Sequence, residues 1–249
     1  MRSGIKTACC LFLSVVFLSL TGCSCIERQL LFYPSHHPHG NNLTPWNRNG
    51  EIIGFSRTID SPKNVWLMLH GNAGQASDRT YALPCFSDED AVYILEYPGY
   101  GNRDGVPSQA VFNRAAEEAF ILLRRTYSDI PVCVAAESIG SGPGSYLATL
   151  SDKPDKLVLI VPFDRLSLVA EEHFPAVLVR LILKSDWDNI ASLSDYTGPI
   201  DIFGAESDTV IPLQHARALA ASVPGSRLLV VDGGHNDWST RSRVQIRNP

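Results

Sequence analysis

A serine, an aspartate and a histidine occur in an order suited to nucleophilic catalysis by a hydroxyl group. Ser138 follows the apolar run Pro131–Ala136, and small residues with a helix-like stretch come after it. A strand that turns sharply into a helix exposes a serine at the turn, an arrangement called a nucleophile elbow. Asp208 and then His235 follow further along the chain. Since a hydroxyl is a weak nucleophile until a base takes its proton, this order predicts a serine hydrolase with His235 as base and Asp208 as its orienting acid.

Both partners of Ser138 lie in glycine-bearing loops that follow apolar runs. The run Ile200–Phe203 precedes Asp208, and Leu228–Val231 precedes His235. Loops at the carboxyl edge of a parallel sheet lie close together, so the three side chains can meet there. Asp208 is the preferred acid because it directly precedes the segment that begins the next helix. Two other acids in these loops stay open as alternatives, namely Glu206 and Asp237.

A second loop offers groups that could stabilise the negative oxygen formed during acyl transfer. Fixed backbone N–H groups stabilise such an oxyanion, and one of them belongs to the residue after the nucleophile, here Ile139. The glycines of His70–Gly74 allow the backbone to approach a substrate closely. We expect the second N–H to belong to Asn72, with Ala73 as the alternative, and His70 to brace the loop. A tight turn without a catalytic role is the other interpretation.

Apolar runs bounded by turn residues alternate with helical patterns along most of the chain. Gln109–Thr126 has apolar residues at helical spacing after a capping Ser108, and Leu213–Ser222 begins after Pro212. This alternation predicts an α/β fold with a mostly parallel central sheet and helices on both faces. The predicted strands are Glu51–Phe55, Asn64–Leu69, Ala91–Tyr97, Val132–Ala136, Leu157–Val161, Ile200–Phe203 and Leu228–Val231.

The stretch Asp164–Pro199 is longer than a crossover between two strands needs. It contains Phe174–Pro175 and the apolar run Ala176–Leu183. We interpret residues 164–199 as a small lid insertion of one or two helices over the site, because long insertions in such folds commonly carry function. An ordinary long crossover with a broken helix is the alternative.

Residues 1–22 have the features of an export signal. Arg2 and Lys6 precede the uncharged stretch Ala8–Leu20, which is shorter than the ~20 residues of a membrane-spanning helix. The remaining residues, 23–249, suit a single α/β domain.

Cys23 follows Leu20-Thr21-Gly22, a pattern that resembles a bacterial lipobox. We therefore expect Cys23 to carry the lipid of a membrane-anchored lipoprotein. Ser24 rather than an aspartate comes next, which favours an outer membrane location facing the periplasm. An uncleaved membrane helix and an ordinary signal peptide are the alternatives.

The composition excludes some classes of partner. A formal net charge of −5 argues against nucleic acid, and 45% hydrophobic residues fit a folded core. Among the six cysteines, Cys133 lies in a predicted strand as a small buried residue, and a bridge between Cys25 and Cys85 stays open. No spacing resembles a zinc site, and Pro38 within His36–His39 favours a loop over a metal site. We expect neither a metal nor an organic cofactor.

Several segments resemble one superfamily. They are His70–Gly74, Glu96–Gly101 and Glu137–Gly142, with further similarity at Leu31–Pro34, Val161–Phe163 and around His235. These segments resemble the α/β-hydrolase superfamily, and in particular its Bem46-type branch of ABHD13- and ABHD17-like proteins. The resemblance extends from about residue 28 to residue 238, and its motifs are specific for the fold rather than for a substrate.

The resemblance implies the α/β-hydrolase fold and a role for each matched residue. Ser138 would be the nucleophile, Asp208 the acid and His235 the base, with Asn72 and Ile139 at the oxyanion. The implied activity is cleavage of a carboxylic ester or thioester of a small-molecule or acylated substrate through an acyl-enzyme. Amide cleavage is one alternative, and a non-catalytic binding lipoprotein that retains the fold is another.

Three departures from the superfamily pattern affect the expected structure. Ala136 replaces the first glycine of Gly-x-Ser-x-Gly, a change of one methyl group. Pro143 removes an N–H that should pair with the Ile139 carbonyl, which predicts distortion of the helix behind the nucleophile. Trp238–Pro249 lacks the apolar periodicity of the closing helix that covers the sheet in such folds, so this surface should be uncovered or covered in another way.

Overall fold

The computed structural model describes residues 26–240 and 244–247 of the 249-residue chain. The predicted export signal, Cys23 and Cys25 therefore lie outside the described residues. Among the helices in these two ranges, none combines the length and apolar character needed to cross a bilayer.

The described residues form ten strands. Two of them pair with each other, and the other eight form one sheet with the order β10-β9-β8-β7-β4-β6-β3-β2. The pairs β2–β3 and β3–β6 are antiparallel, and the other neighbours in this sheet are parallel. The predicted mostly parallel sheet is therefore confirmed. The strands are β1 (Tyr33–Pro34), β2 (Thr44–Arg48), β3 (Glu51–Arg57), β4 (Asn64–Leu69), β5 (Ala73–Gly74), β6 (Asp90–Leu95), β7 (Val132–Glu137), β8 (Leu157–Ile160), β9 (Ile200–Ala205) and β10 (Ser226–Val231).

All seven predicted strands form, with ends that move by up to two residues. The sequence did not predict β1, β2 or β5. β1 and β5 have two residues each, too few to show a pattern. β2 contains Pro45, which lacks a backbone donor and is suited to the edge position that β2 occupies.

Both predicted helices form with the predicted bounds. The Ser108 side chain accepts the Val111 N–H at the start of the first helix, and Pro212 precedes the last. Residues 26–31 are also helical, and Ala76–Cys85 and Ser138–Gly140 form tighter 3₁₀ turns. The helices are α1 (Gln109–Thr126), α2 (Ser141–Leu147), α3 (Leu166–His173), α4 (Ala176–Ile182), α5 (Asn189–Leu193) and α6 (Leu213–Ser222).

Alternate residues of the central strands supply two separate cores, one on each face of the sheet. In β4, Val65, Leu67 and Leu69 pack on the face that includes α1, whereas Trp66 and Met68 pack on the opposite face. A strand buried on both faces must be continuously apolar, which is the pattern that β4 shows.

The C-terminal segment covers part of the second face without forming a helix in its described residues. Trp238 and Ile246 are fully buried and pack in the same core as Trp66. The Ile246 N–H donates to the Cys85 carbonyl at 2.8 Å. The absence of apolar periodicity therefore has a physical explanation, because an extended segment buries isolated side chains rather than one helical stripe.

The stretch between β8 and β9 forms three helices. α3 and α4 border a large cavity, whereas α5 packs against the body of the domain. The Asn189 side-chain amide donates to Ser141 Oγ at 3.1 Å and to the Phe163 carbonyl at 2.8 Å. The predicted lid was residues 164–199. Only its first part, which contains α3 and α4, lies over the cavity.

Candidate active site

Ser138 lies at a strained turn between β7 and α2. Its φ of +53° falls in the left-handed region, which residues other than glycine rarely adopt. The turn also brings Gly140 so close to β4 that a Cβ there would lie 2.3 Å from the Leu69 carbonyl oxygen. Packing on both sides therefore holds the serine in this conformation, with its side chain on the cavity wall.

Ser138, His235 and Asp208 form one continuous set of hydrogen bonds. Ser138 Oγ lies 2.9 Å from His235 Nε2, and His235 Nδ1 lies 2.7 Å from Asp208 Oδ2. The other oxygen of Asp208 accepts the N–H groups of Val210 and Ile211, each at 2.8 Å. A carboxylate fixed in this way favours the tautomer with the proton on Nδ1, which leaves Nε2 free to accept the serine proton.

The structure pairs His235 Nδ1 with Asp208 rather than with either alternative acid. Glu206 is exposed, and Asp237 instead accepts the Gly234 N–H at 3.0 Å, which shapes the histidine loop. His70 is fully buried, and its ring packs against Tyr97 while Nδ1 lies 2.7 Å from the Gly71 carbonyl. These contacts agree with a bracing role for His70.

No group of three or more metal-ligating side chains occurs among the residues that the structure describes. His36 and His39 bind the backbone carbonyls of Gly101 and Leu43, and His37 contacts Asp78. The three histidines therefore face different partners.

The predicted oxyanion loop lies beside Ser138. Gly71, Asn72 and Ala73 border the cavity together with Ser138 and Ile139. The Tyr100 hydroxyl donates to Asn72 Oδ1 at 3.2 Å, and this hydrogen bond restricts rotation of the Asn72 side chain. Asn72 and Ile139 therefore border the same cavity as Ser138, and the oxyanion role of their backbone N–H groups stays a prediction.

Sequence reasoning missed the acid that supports this loop. Glu137, only 5% exposed, accepts the Gly71 N–H at 3.1 Å. It also accepts the Tyr81 hydroxyl at 3.0 Å and the Trp238 indole N–H at 3.1 Å. The sequence shows Glu137 directly before Ser138, but it could not indicate the hydrogen-bond partners of Glu137, because these come from distant parts of the chain.

Arg79 also holds this loop. Its guanidinium donates to the Ala73 carbonyl and lies 3.5 Å from the Gly71 carbonyl. Burial opposes the charge of Arg79, yet the nearby Glu137 carboxylate and Tyr81 raise its pKa above the ordinary arginine value. The backbone of the loop is therefore bound by two buried side chains of opposite charge.

The cavity has a volume of about 690 Å³ and mostly apolar walls. This volume lies within the range of small-molecule sites. One wall comes from α3 and α4, with Val169, Phe174 and Val179, and another from Leu30 and Leu31. Ser138 and His235 line this mostly apolar cavity, an arrangement that suits a substrate with a hydrocarbon part.

The two departures near the nucleophile are accommodated by the structure. Ala136 faces Gly144, where an added Cβ would lie 2.7 Å from the Ala136 methyl group. The missing side chain at Gly144 thus provides the room that Ala136 takes. Pro143 is the third residue of α2, and N–H groups in a first turn have no partner within the helix. The helix begins at Ser141 directly after the 3₁₀ turn Ser138–Gly140, so Pro143 lies in its first turn, and the distortion expected from Pro143 stays a prediction.

No model of a protein family matches the chain. It is similar to an uncharacterised protein of Mycobacterium tuberculosis, with 28% identity over 229 residues that cover 85% of this chain and 81% of that protein. It is also similar to alpha/beta hydrolase domain-containing protein 17B of Xenopus laevis, with 30% identity over 74% of this chain and 64% of that protein. Lysophosphatidylserine lipase ABHD12 of Danio rerio is 26% identical over 66% of this chain and 48% of its own length. The chain spans about half the length of this lipase.

Solved structures share the architecture. An esterase from Pyrococcus furiosus superposes with a TM-score of 0.61 at 12% identity, covering 85% of this chain and 96% of that one. A hydrolase from Pseudomonas aeruginosa gives a TM-score of 0.60 at 17% identity, covering 79% and 92%. At these identities the likeness establishes a common fold.

Proposed function

We propose that this member of the α/β-hydrolase superfamily is a serine hydrolase that cleaves carboxylic ester or thioester bonds. The observation that carries the proposal is the hydrogen-bonded series Ser138–His235–Asp208 at the wall of an apolar cavity. Relatives named as lipases and structural neighbours named as esterases support the same reaction class.

The reaction begins when Ser138 Oγ attacks the substrate carbonyl carbon and passes its proton to His235 Nε2. Asp208 keeps His235 in the reactive tautomer and stabilises the imidazolium that forms. The backbone N–H groups of Asn72 and Ile139 stabilise the tetrahedral oxyanion. His235 then gives the proton to the departing alcohol or thiol, leaving an acyl-enzyme.

Water completes the cycle. His235 takes a proton from a water molecule as its oxygen attacks the acyl carbon, and returns that proton to Ser138 Oγ as the carboxylic acid leaves. Each step uses groups of the protein and water, so the proposed reaction needs neither a metal nor an organic cofactor. The apolar walls favour a small-molecule or other acylated substrate.

The proposed reaction predicts covalent labelling of one serine. A fluorophosphonate probe should label the wild-type chain, and Ser138→Ala should abolish the labelling, because the probe traps an activated serine. Ser145→Ala is the matched control, since Ser145 is buried about two helical turns after Ser138 and its hydroxyl has no partner among the described residues. A folded wild-type protein without labelling would support a non-catalytic binding protein instead.

If an amide were cleaved faster than the ester of the same acyl group, amidase activity would replace the esterase proposal.

Membrane attachment through a lipid on Cys23, in the outer membrane facing the periplasm, is the second part of the proposal. It rests on the sequence Leu20-Thr21-Gly22-Cys23 alone. Metabolic labelling with radioactive palmitate should mark the wild-type chain, and Cys23→Ala should remove the label. Persistent labelling in that variant would contradict the assignment of Cys23.

A further inference from the structure

The helix α4 leaves most of its apolar side chains exposed. All of its residues except Arg180 are apolar, yet only Val179 is buried. Val177 is 69% exposed and Leu181 is 59% exposed. Single exposed apolar residues are common on protein surfaces, whereas a contiguous apolar patch indicates an interaction site.

The exposed residues of α4 continue into the mouth of the cavity. Leu30, Tyr33, Phe174 and Leu178 are each about half exposed, and all four also line the cavity. We call the following set the apolar rim: Leu30, Tyr33, Phe174, Val177, Leu178 and Leu181. A partner seated on this rim would cover the entrance to Ser138.

A buried carboxylate joins the two parts of the apolar rim. Glu27, in the helical segment 26–31, is 6% exposed and accepts the N–H groups of Lys184 at 2.7 Å and Ser185 at 2.5 Å. Lys184 and Ser185 follow directly after α4 along the chain. The segment that carries Leu30 and the helix that carries Leu181 are therefore fastened together as one face.

The chain reaches this face from a segment suited to a membrane. Ile26 is 45% exposed and begins the described chain beside the apolar rim. Cys23 lies three positions earlier, and three extended residues span at most about 11 Å. The uncharged stretch Ala8–Leu20 precedes it. Either a lipid on Cys23 or that stretch would keep the rim close to a bilayer.

We propose that the apolar rim docks onto the surface of a lipid bilayer, with the mouth of the cavity facing the acyl region. The low charge of α4, whose single ionised residue is Arg180, fits a neutral lipid surface better than a strongly anionic one. Combined with the proposed function, this orientation lets an acylated substrate pass from the bilayer to Ser138 without crossing water.

The docking itself is tested without any enzymatic reaction. All four native tryptophans are at most 9% exposed, so a tryptophan added at the surface reports its own surroundings. Leu181→Trp is compared with Val230→Trp, because Val230 is 48% exposed on β10, outside the rim. Both full-length chains also carry Ser138→Ala and are reconstituted in vesicles of phosphatidylcholine with brominated acyl chains.

Bromine quenches tryptophan only at short range, so docking should quench the emission of Leu181→Trp and leave Val230→Trp unchanged. Equal quenching at the two positions, or quenching at neither, overturns the proposal. A second copy of the chain is the other candidate partner. It would be indicated by a blue shift of Leu181→Trp that grows with protein concentration in the absence of vesicles, together with no quenching by brominated lipid.

The consequence for substrate delivery rests on the proposed function and has its own experiment. Val177→Asp with Leu181→Asp should lower hydrolysis of a long-chain ester embedded in phosphatidylcholine vesicles by about tenfold or more, since apolar contacts with lipid are lost. Hydrolysis of a water-soluble butyrate ester should stay within about twofold of wild type, and Val230→Asp should change neither rate. Equal loss with both esters overturns the delivery role, whereas no hydrolysis of either ester by wild type refutes the proposed function and leaves the quenching result intact.

Discussion

At the scale of single residues, the candidate site depends on charged side chains that form no covalent bond with the substrate in the proposed reaction. Glu137 and Arg79 both hold the loop of residues 71–73, and each binds its backbone directly. An N–H group stabilises an oxyanion only if it already points at the place where the charge forms. We therefore interpret Glu137 as a positioning residue, acting through the Gly71 N–H on the neighbouring Asn72.

This interpretation predicts a graded loss of turnover. Glu137→Ala should lower kcat by about 100-fold, similar to loss of one oxyanion donor, because the loop loses its fixed anion. Glu137→Gln should lower kcat by about tenfold, since the amide keeps one acceptor oxygen but loses the charge opposite Arg79. KM should change little in both variants.

Steady-state kinetics with a soluble ester measure both parameters, and thermal unfolding gives the folded fraction of each variant. A purely structural role would reduce the amount of active protein and leave kcat per folded molecule unchanged. That outcome, or a change confined to KM, would contradict the positioning role.

At the scale of elements, the turn from β7 into α2 depends on close contacts that exclude side chains. A Cβ at Gly140 would collide with the backbone of β4, and one at Gly142 would lie 2.5 Å from the Trp187 ring. At Gly144 the neighbour is the methyl group of Ala136, on the strand that carries the nucleophile. The unusual alanine and this glycine therefore form a matched pair.

The matched pair predicts coupled effects on stability. Gly144→Ala should lower the free energy of unfolding by about 1–3 kcal/mol, because two methyl groups would compete for one space. Adding Ala136→Gly should recover most of that loss, since it restores the room and alanine favours a helix over glycine. Urea unfolding of the four proteins in the double-mutant cycle measures the coupling, and additive effects of the two substitutions would refute the pairing.

At the scale of the whole molecule, the ion pairs of one buried carboxylate connect neighbouring strands on one side of the sheet. Asp201 on β9 binds Lys156, just before β8, at 2.8 Å and Arg227 on β10 at 2.8 Å. Burial would raise the pKa of Asp201, but hydrogen bonds from Arg227 and Lys156 outweigh burial and lower it. A carboxyl group with a lowered pKa in the folded state contributes stability above its unfolded pKa of about 3.9 and loses it as the pH falls further.

Asp201→Asn should therefore destabilise the protein at neutral pH by about 3–5 kcal/mol, because Lys156 loses a charge partner in a buried position. The difference from wild type should shrink as the pH falls below about 4, because the Asp201 carboxyl of the unfolded chain is protonated there while the native one, with its lowered pKa, still holds its charge until lower pH. Urea unfolding between pH 7 and pH 3 measures this difference. Asp88→Asn is the matched control, since Asp88 is fully exposed, and it should stay within about 0.5 kcal/mol of wild type. A difference for Asp201→Asn that does not depend on pH would contradict the role of its charge.

Local pattern in the sequence was sufficient for seven of the strands, for the helices α1 and α6, and for the choice of the candidate nucleophile and its partners. Helix α1 has its predicted bounds because its apolar spacing and its Ser108 cap lie within a single stretch of chain. Ser138, Asp208 and His235 could be selected for the same reason, since each follows its own apolar strand. Their roles stay predictions, and the structure adds that their side chains form one hydrogen-bonded series.

Only the tertiary structure decided the features that depend on residues distant in the chain. Glu137 meets Gly71 and Trp238 through folding alone, and Gly144 makes room for Ala136 across a strand–helix contact. The burial of the second face of the sheet by the C-terminal segment and the exposure of the apolar rim also depend on residues distant in the chain. Spacing along a chain reports which face of its own element a residue occupies, whereas burial and contact depend on what the rest of the fold places against that face.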